Sequence, residues 1–177
     1  VTASAKDGYM VLPITMTHAT VELYGSREAL ANIEEVHTKA LSYEDLAQDK
    51  VVWVPLETIP NVRIHPDSVQ QQIAVVELTE RRVELPIVAT HTPTGFVAKL
   101  LPARVTITLT MPITDYNKPI GAGISVVADL STIQEALLRG EEQPEMLPVK
   151  IEGLPEWVVR ATVSPKAVQY ILERAEP

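Results

Sequence analysis

Four histidines, His18, His37, His65 and His91, are the side chains best suited to proton transfer or metal binding near neutral pH. They fall in separate segments, and no two stand at the spacing that a shared metal ion needs. Glu34, Glu35 and His37 come nearest to a cation-binding set. On extended backbone only alternate side chains share a face, so a solvated acidic edge is the expected reading of those three residues. His65 precedes Pro66 in a stretch that reads much like the one in which Ser164 precedes Pro165. An imidazole and a hydroxyl have little acid–base chemistry in common. What the two positions share is geometric: each sets the backbone ahead of a turn proline.

Nucleophilic chemistry has no better footing. No G-x-S-x-G elbow occurs, and Ser42, Ser68 and Ser125 each sit in a polar or strand-like context with no pattern that pairs them with a histidine base. Gly121-Ala122-Gly123 precedes an apolar strand-like run instead of following one and lacks a third glycine, so a flexible loop is expected there and not a phosphate cradle. Glu44-Asp45 and Glu141-Glu142 are adjacent carboxylates whose side chains would diverge instead of sharing a proton. No residue is therefore assigned to catalysis, to a cofactor or to a metal. Trp53 and Trp157 each lie in a Val-rich run and are expected to pack in cores; a partner-facing surface is the alternative.

The elements that would carry these residues belong to a folded chain, at 46 % hydrophobic and 21 % charged. The net charge is −8, with 7 Lys and Arg against 12 Asp and Glu up to Val83, and 8 against 11 beyond it. Nucleic-acid affinity rests on neutralising phosphates, so acidic balance in both parts argues against DNA or RNA as partner. Cysteine is absent, which excludes disulfides and thiolate chemistry. No apolar run approaches the roughly 20 residues that cross a bilayer. The chain begins at Val1 with no signal-like region, and is expected to be a segment of a longer protein or a mature chain.

Apolar residues recur mostly with period two. Val105, Ile107, Leu109 and Met111 alternate with three threonines, the pattern of a half-buried strand. Further strands are expected over 19–24, 50–57, 61–65, 69–78, 84–90, 124–128, 147–152 and 157–163. Fourteen prolines argue against long helices. Two short ones are expected, over 27–33 and over 132–139, the second with Ser131 and Gln134 as a capping box and Gly140 at its left-handed end.

Laid on itself, the chain repeats. Gly8-Tyr9 answers Gly95-Phe96, Ala19 to Leu23 answers Ala103 to Ile107, Val54-Pro55-Leu56 answers Leu147-Pro148-Val149, and His65 to Val69 answers Ser164 to Val168. The offset moves from 87 to 84, then 93 and 99, so that insertions fall in loops while the strands keep their order. Residues 165–173 alone read as a helix, with Ser164 as cap and Pro165 in the first turn; their repeat partner reads as a strand, and a strand is expected. Two related units, 1–82 and 83–177, follow.

This succession of motifs resembles the YbbR domain family of bacterial proteins. Val127-Ala128-Asp129-Leu130-Ser131 is similar to that family's V-D-L-S stretch, with Leu41 to Leu46 as the counterpart in the first unit. The family's Gly-Pro is replaced by Gly25-Ser26 and by Thr110-Met111-Pro112, and the first unit is expected to lack its opening strand. The resemblance implies a mainly β fold: two tandem YbbR-like domains with extended, twisted sheets and one or two short helices. It also implies modules strung outside the cytoplasmic membrane behind an N-terminal anchor that lies beyond this segment. The role implied is regulatory and non-enzymatic, through a protein partner at the membrane such as a diadenylate cyclase. No catalytic residue comes with the family. A cell-surface adhesion or ligand-binding β protein is the alternative.

Overall fold

The computed structural model describes residues 1–18, 20–121 and 123–175. The chain is mainly β and divides into two compact units, Val1–Leu78 and Thr79–Pro177.

In the first unit, strand β1 (Thr2–Ala5) runs parallel to β5 (Ser42–Leu46), with Thr2 opposite Ser42 and Ala3 opposite Tyr43. A strand therefore stands at the start of this unit, where the sequence reading expected none. β2 (Tyr9–Val11) pairs antiparallel with the beginning of β9 (Val75–Thr90). The chain then breaks at Leu12-Pro13-Ile14 and resumes as β3 (Thr15–Met16), the outer member of a three-stranded sheet. Its order is β3, β8 (Ser68–Ile73) and β6 (Lys50–Pro55). A separate ladder joins β4 (Glu22–Gly25) to β7 (Val62–His65). Helix α1 covers only Arg27–Leu30, capped by the Ser26 hydroxyl, which accepts the Ala29 N–H at 3.2 Å. It is shorter than expected and buries no residue.

In the second unit one sheet runs β10 (Phe96–Leu101), β15 (Ala167–Arg174), β13 (Met146–Glu152), β12 (Ser125–Asp129), β9, β11 (Arg104–Pro112) and β14 (Arg160–Ser164). β12 lies parallel to β9 and antiparallel to β13. Residues 167–174 are strand, so pairing with β10 and β13 overrides the local helix signals. Helix α2 (Ser131–Arg139) ends at Gly140, whose φ of 66° is the left-handed conformation expected there. Its start differs from expectation. Ser131 makes no capping bond; the Asp129 carboxylate, two residues before it, accepts the Ser131 N–H at 2.9 Å instead. The Ile133 and Gln134 N–H groups, which a Ser131 cap would have accepted, both donate to the Leu130 carbonyl at 3.0 Å, so the helix begins one residue earlier and Ser131 is its first residue.

The ladders of the two units correspond residue by residue. In the first, Glu22 faces His65 and Leu23 faces Ile64; in the second, Thr106 faces Ser164 and Ile107 faces Val163. Val54 faces Val69 as Leu147 faces Val168. The Leu56 N–H donates to the Asp67 carbonyl at 2.8 Å, and the Val149 N–H to the Lys166 carbonyl at 3.0 Å. Gly8 and Gly95 turn at φ 84° and 83°, and their carbonyls accept from Leu78 and Ala175. These pairs carry the offsets seen in the sequence repeat.

The cores differ in size. Val52, Val54, Leu56, Val69 and Ile73 are the buried apolar residues of the first unit. The core cluster of the second has thirteen members among the described residues, including Val105, Ile107, Leu109, Met111, Leu130 and Ile133. Period-two burial along β11 and β6 delivers the inward side chains in both.

Candidate functional site

The polar residues singled out by sequence stay apart. Among the described residues no group of three histidines and carboxylates converges as a metal site would. His37 Nε2 lies 3.3 Å from Glu35 Oε1, with both side chains largely exposed. Such a pair contributes little to stability. His65 is exposed on β7 opposite Glu22 and leads into Pro66, as Ser164 leads into Pro165. Ser42 and Ser125 lie on strands, and the Ser68 hydroxyl donates to Asp67 at 3.2 Å. Glu44 and Asp45 are exposed on β5, and Glu141 and Glu142 are exposed after α2. Gly121-Ala122-Gly123 includes Ala122, which lies outside the described residues.

One polar cluster is organised. His91, at φ 53°, places Nδ1 2.9 Å from the Asp129 carboxylate that also takes the Ser131 N–H. The Ser131 N–H first, and His91 second, hold the Asp129 carboxyl below the usual carboxylate range. The arrangement sits at the start of α2, with both side chains substantially exposed.

Trp53 departs from the expected core packing, whereas Trp157 departs only in lying outside a strand. Trp53 is 62 % exposed. On β6, Val52 and Val54 point inward, so alternation sends Trp53 and Val51 to the opposite face. Directly across on β8 stand Gln70 and Gln72, and beyond them Thr17 and Thr15 of the β3 edge. The Thr17 hydroxyl lies 3.1 Å from the Gln70 carbonyl and 3.3 Å from its side-chain oxygen. This is a face of one indole, amides and hydroxyls, without a charged group. The run Val51-Val52-Trp53-Val54 is apolar throughout and hides its alternation. The repeat holds the missing signal, since Trp53 answers Met146, itself 49 % exposed. Trp157 stands in a turn before β14, not in a strand, and packs partly buried against the second core.

On the other side of the same three strands the first unit opens a groove of about 300 Å³. Val21, Leu23, Val36, Leu56 and Val69 form its apolar floor. His18, Glu34 and Glu35 stand at its rim, with Thr20 and Thr38 between. Nearby, on the inner face of β8, Gln71 is 5 % exposed and its side-chain oxygen has no hydrogen-bond partner among the described residues. Sequence reading saw the rim as a solvated acidic edge and had no means of seeing the floor, because the strands that build it are far apart in the chain.

No helix among the described residues is long and apolar enough to cross a membrane. Residues 1–73 match the family described as YbbR-like protein. No curated protein and no solved structure matches the chain. The match covers β1 to β8, including the groove and the Trp53 face. Over its first 73 residues the chain is thus similar to a YbbR-like domain.

Proposed function

We propose that this chain is a non-enzymatic protein-interaction module of a membrane-anchored regulator, built from two YbbR-like domains that meet near residues 79–83. The observation that carries the reading is the shared register: the strand pairings of the first unit, which is matched to the family, recur in the second. Modules repeated in tandem present surfaces, and this family brings no catalytic residue with it. On this reading the chain lies outside the cytoplasmic membrane, held by a segment beyond the sequence described, and binds a membrane protein such as a diadenylate cyclase. Cross-linking pull-down from bacterial membranes, with the chain as bait, tests it. Recovery of an integral-membrane cyclase is the expected result; repeated recovery of no membrane protein counts against the role.

A second reading, adhesion to a neutral glycan, is favoured by the Trp53 face alone. An indole flanked by Gln70, Gln72 and Thr17 offers an apolar platform beside amide and hydroxyl partners. Glycan arrays probed with the wild type and with Trp53→Ala decide this: signal lost in the variant supports it, and blank arrays for both dispose of it.

A further inference from the structure

The groove of the first unit is lined by residues whose counterparts in the second unit lie in the same buried apolar cluster as the start of its helix. Met16, Val21 and Leu23 of the first unit answer Leu100, Val105 and Ile107 of the second, and the ladders agree: Met16 faces Gln71 as Leu100 faces Tyr170. Leu56 and Val69 answer Val149 and Val168 in the same way. In the second unit these counterparts are all buried, and they share one apolar cluster with Leu130 and Ile133 at the start of α2. In the first unit Met16 is 54 % exposed, and Val21 and Leu23 are half-buried along the groove.

The cause is visible in the chain. The repeat offset is 84 at Leu46 and Leu130 and 93 at Val54 and Leu147; the nine added residues fall where the nine-residue α2 stands. The first unit passes from β5 to β6 by a short turn, with no helix between them. Its only helix among the described residues, α1, buries no residue.

We infer that this groove is a docking site for one turn or more of an amphipathic helix supplied by a protein partner. The partner's aliphatic side chains, spaced i and i+3 as the buried Ile133 and Ala136 of α2 are, would seat on the floor of Val21, Leu23 and Val36. Its flank is basic. Glu34 and Glu35 present two carboxylates at the rim, and a Lys or Arg on the helix would meet them, whereas an acidic helix would be repelled. The volume is at the small end of the ~300–1,000 Å³ typical of ligand sites, suited to a few side chains rather than to a whole cofactor. The inference rests on the interaction role proposed above and names its site and the chemistry of its partner.

The probe is a synthetic peptide of residues 128–140, the segment that carries α2 in the second unit, made with Glu135→Lys to supply the positive flank. Titrated into the isotope-labelled whole chain, it should shift the amide resonances of Val21, Leu23, Val36 and Leu56 at 1:1 stoichiometry. The exposed double variant Glu34→Lys/Glu35→Lys should weaken binding about tenfold, and the unmodified peptide should bind more weakly than the Lys version. Absence of shifts at those residues at millimolar peptide, or affinity unchanged by the charge reversals, overturns the inference. The membrane pull-down repeated with the double variant separates the two proposals. Partner lost in the variant alone supports the groove; partner recovered equally by both proteins overturns the groove and leaves the interaction role standing. Nothing recovered by either overturns the role.

Discussion

The strand pairings of the first unit recur in the second, which adds β12 with β13 and β9 with β11. In the second, the strands from β10 at one border to β14 at the other form one continuous sheet, with thirteen residues in its buried apolar cluster among the described residues; in the first, the ladders are separate and the cluster has five members. Burial of an aliphatic side chain is worth about 1.5–3 kcal/mol, so the second unit has much the larger favourable term. Register can therefore be kept by turns and alternation alone, while stability depends on what is laid over the sheet afterwards. β11 runs for nine residues where its counterpart β4 runs for four, and α2 has no equivalent across the repeat.

The sharpest break of this comparison is a matched pair of truncations. Ile107, 1 % exposed, and Leu23, half-buried, are equivalent positions. Ile107→Ala should cost about 3–4 kcal/mol and Leu23→Ala about 1, because only the first leaves a closed cavity. Each unit has one tryptophan, so Trp157→Phe and Trp53→Phe backgrounds allow the fluorescence of the remaining indole to report each urea transition separately. The first unit should unfold at the lower urea concentration. Equal costs for the two truncations would show that the units are equally closed.

A smaller effect of opposite sign is expected at Gln71. Its buried side-chain oxygen has no partner among the described residues, so Gln71→Leu should stabilise the first unit by about 1 kcal/mol, read as a shift in its urea midpoint. A loss of stability would mean that the amide is satisfied by solvent or ligand.

The start of α2 gives a change of similar size, confined to the second unit and dependent on pH. The Asp129 carboxyl is held below its ordinary value, chiefly by the Ser131 N–H, so its contribution is present above that ordinary value and is lost as pH falls through the lowered one. Asp129→Ala should cost about 1 kcal/mol at pH 7, the usual worth of a helix cap, and the difference from wild type should vanish in strong acid. A pH-independent difference would assign the loss to packing instead.

The smallest effect is at the surface. Trp53→Ala should change stability by less than about 0.5 kcal/mol, as surface substitutions do. Acrylamide should quench Trp53 readily and the half-buried Trp157 less. Equal quenching would place Trp53 in a core after all.

Much of the fold was legible because β-branched alternation and proline punctuation are local. The repeat offsets carried the register of both units, and the strand at 167–174 was readable only through its repeat partner. What escaped was decided at longer range. Trp53 sits in a run with no polar residue to mark its outer face, Ser131 is the first residue of its helix because the Leu130 carbonyl takes the N–H groups it would have capped, and the strand expected over 69–78 is interrupted at Ala74, where a single expectation covered the end of β8 and the start of β9. β1 and β5 are short, mixed in polarity and paired with one another across the unit, which leaves little local trace. The groove left no local trace, because its floor is assembled from Val21, Leu23, Val36, Leu56 and Val69, which come from separate segments.

The interruption at Leu12-Pro13-Ile14 bears on solubility. β3 and β10 are equivalent border strands, each at the end of its sheet, where unpaired amides invite a stranger's backbone to join. Proline has no amide hydrogen to offer, and a bent border cannot template a straight one. The first unit is thereby closed to fibre-like growth on that side. β10 runs unbroken with Val97 half-exposed and is guarded by Lys99, which is held by Glu173; replacing that lysine with an uncharged β-branched residue would leave the molecule its most adhesive margin.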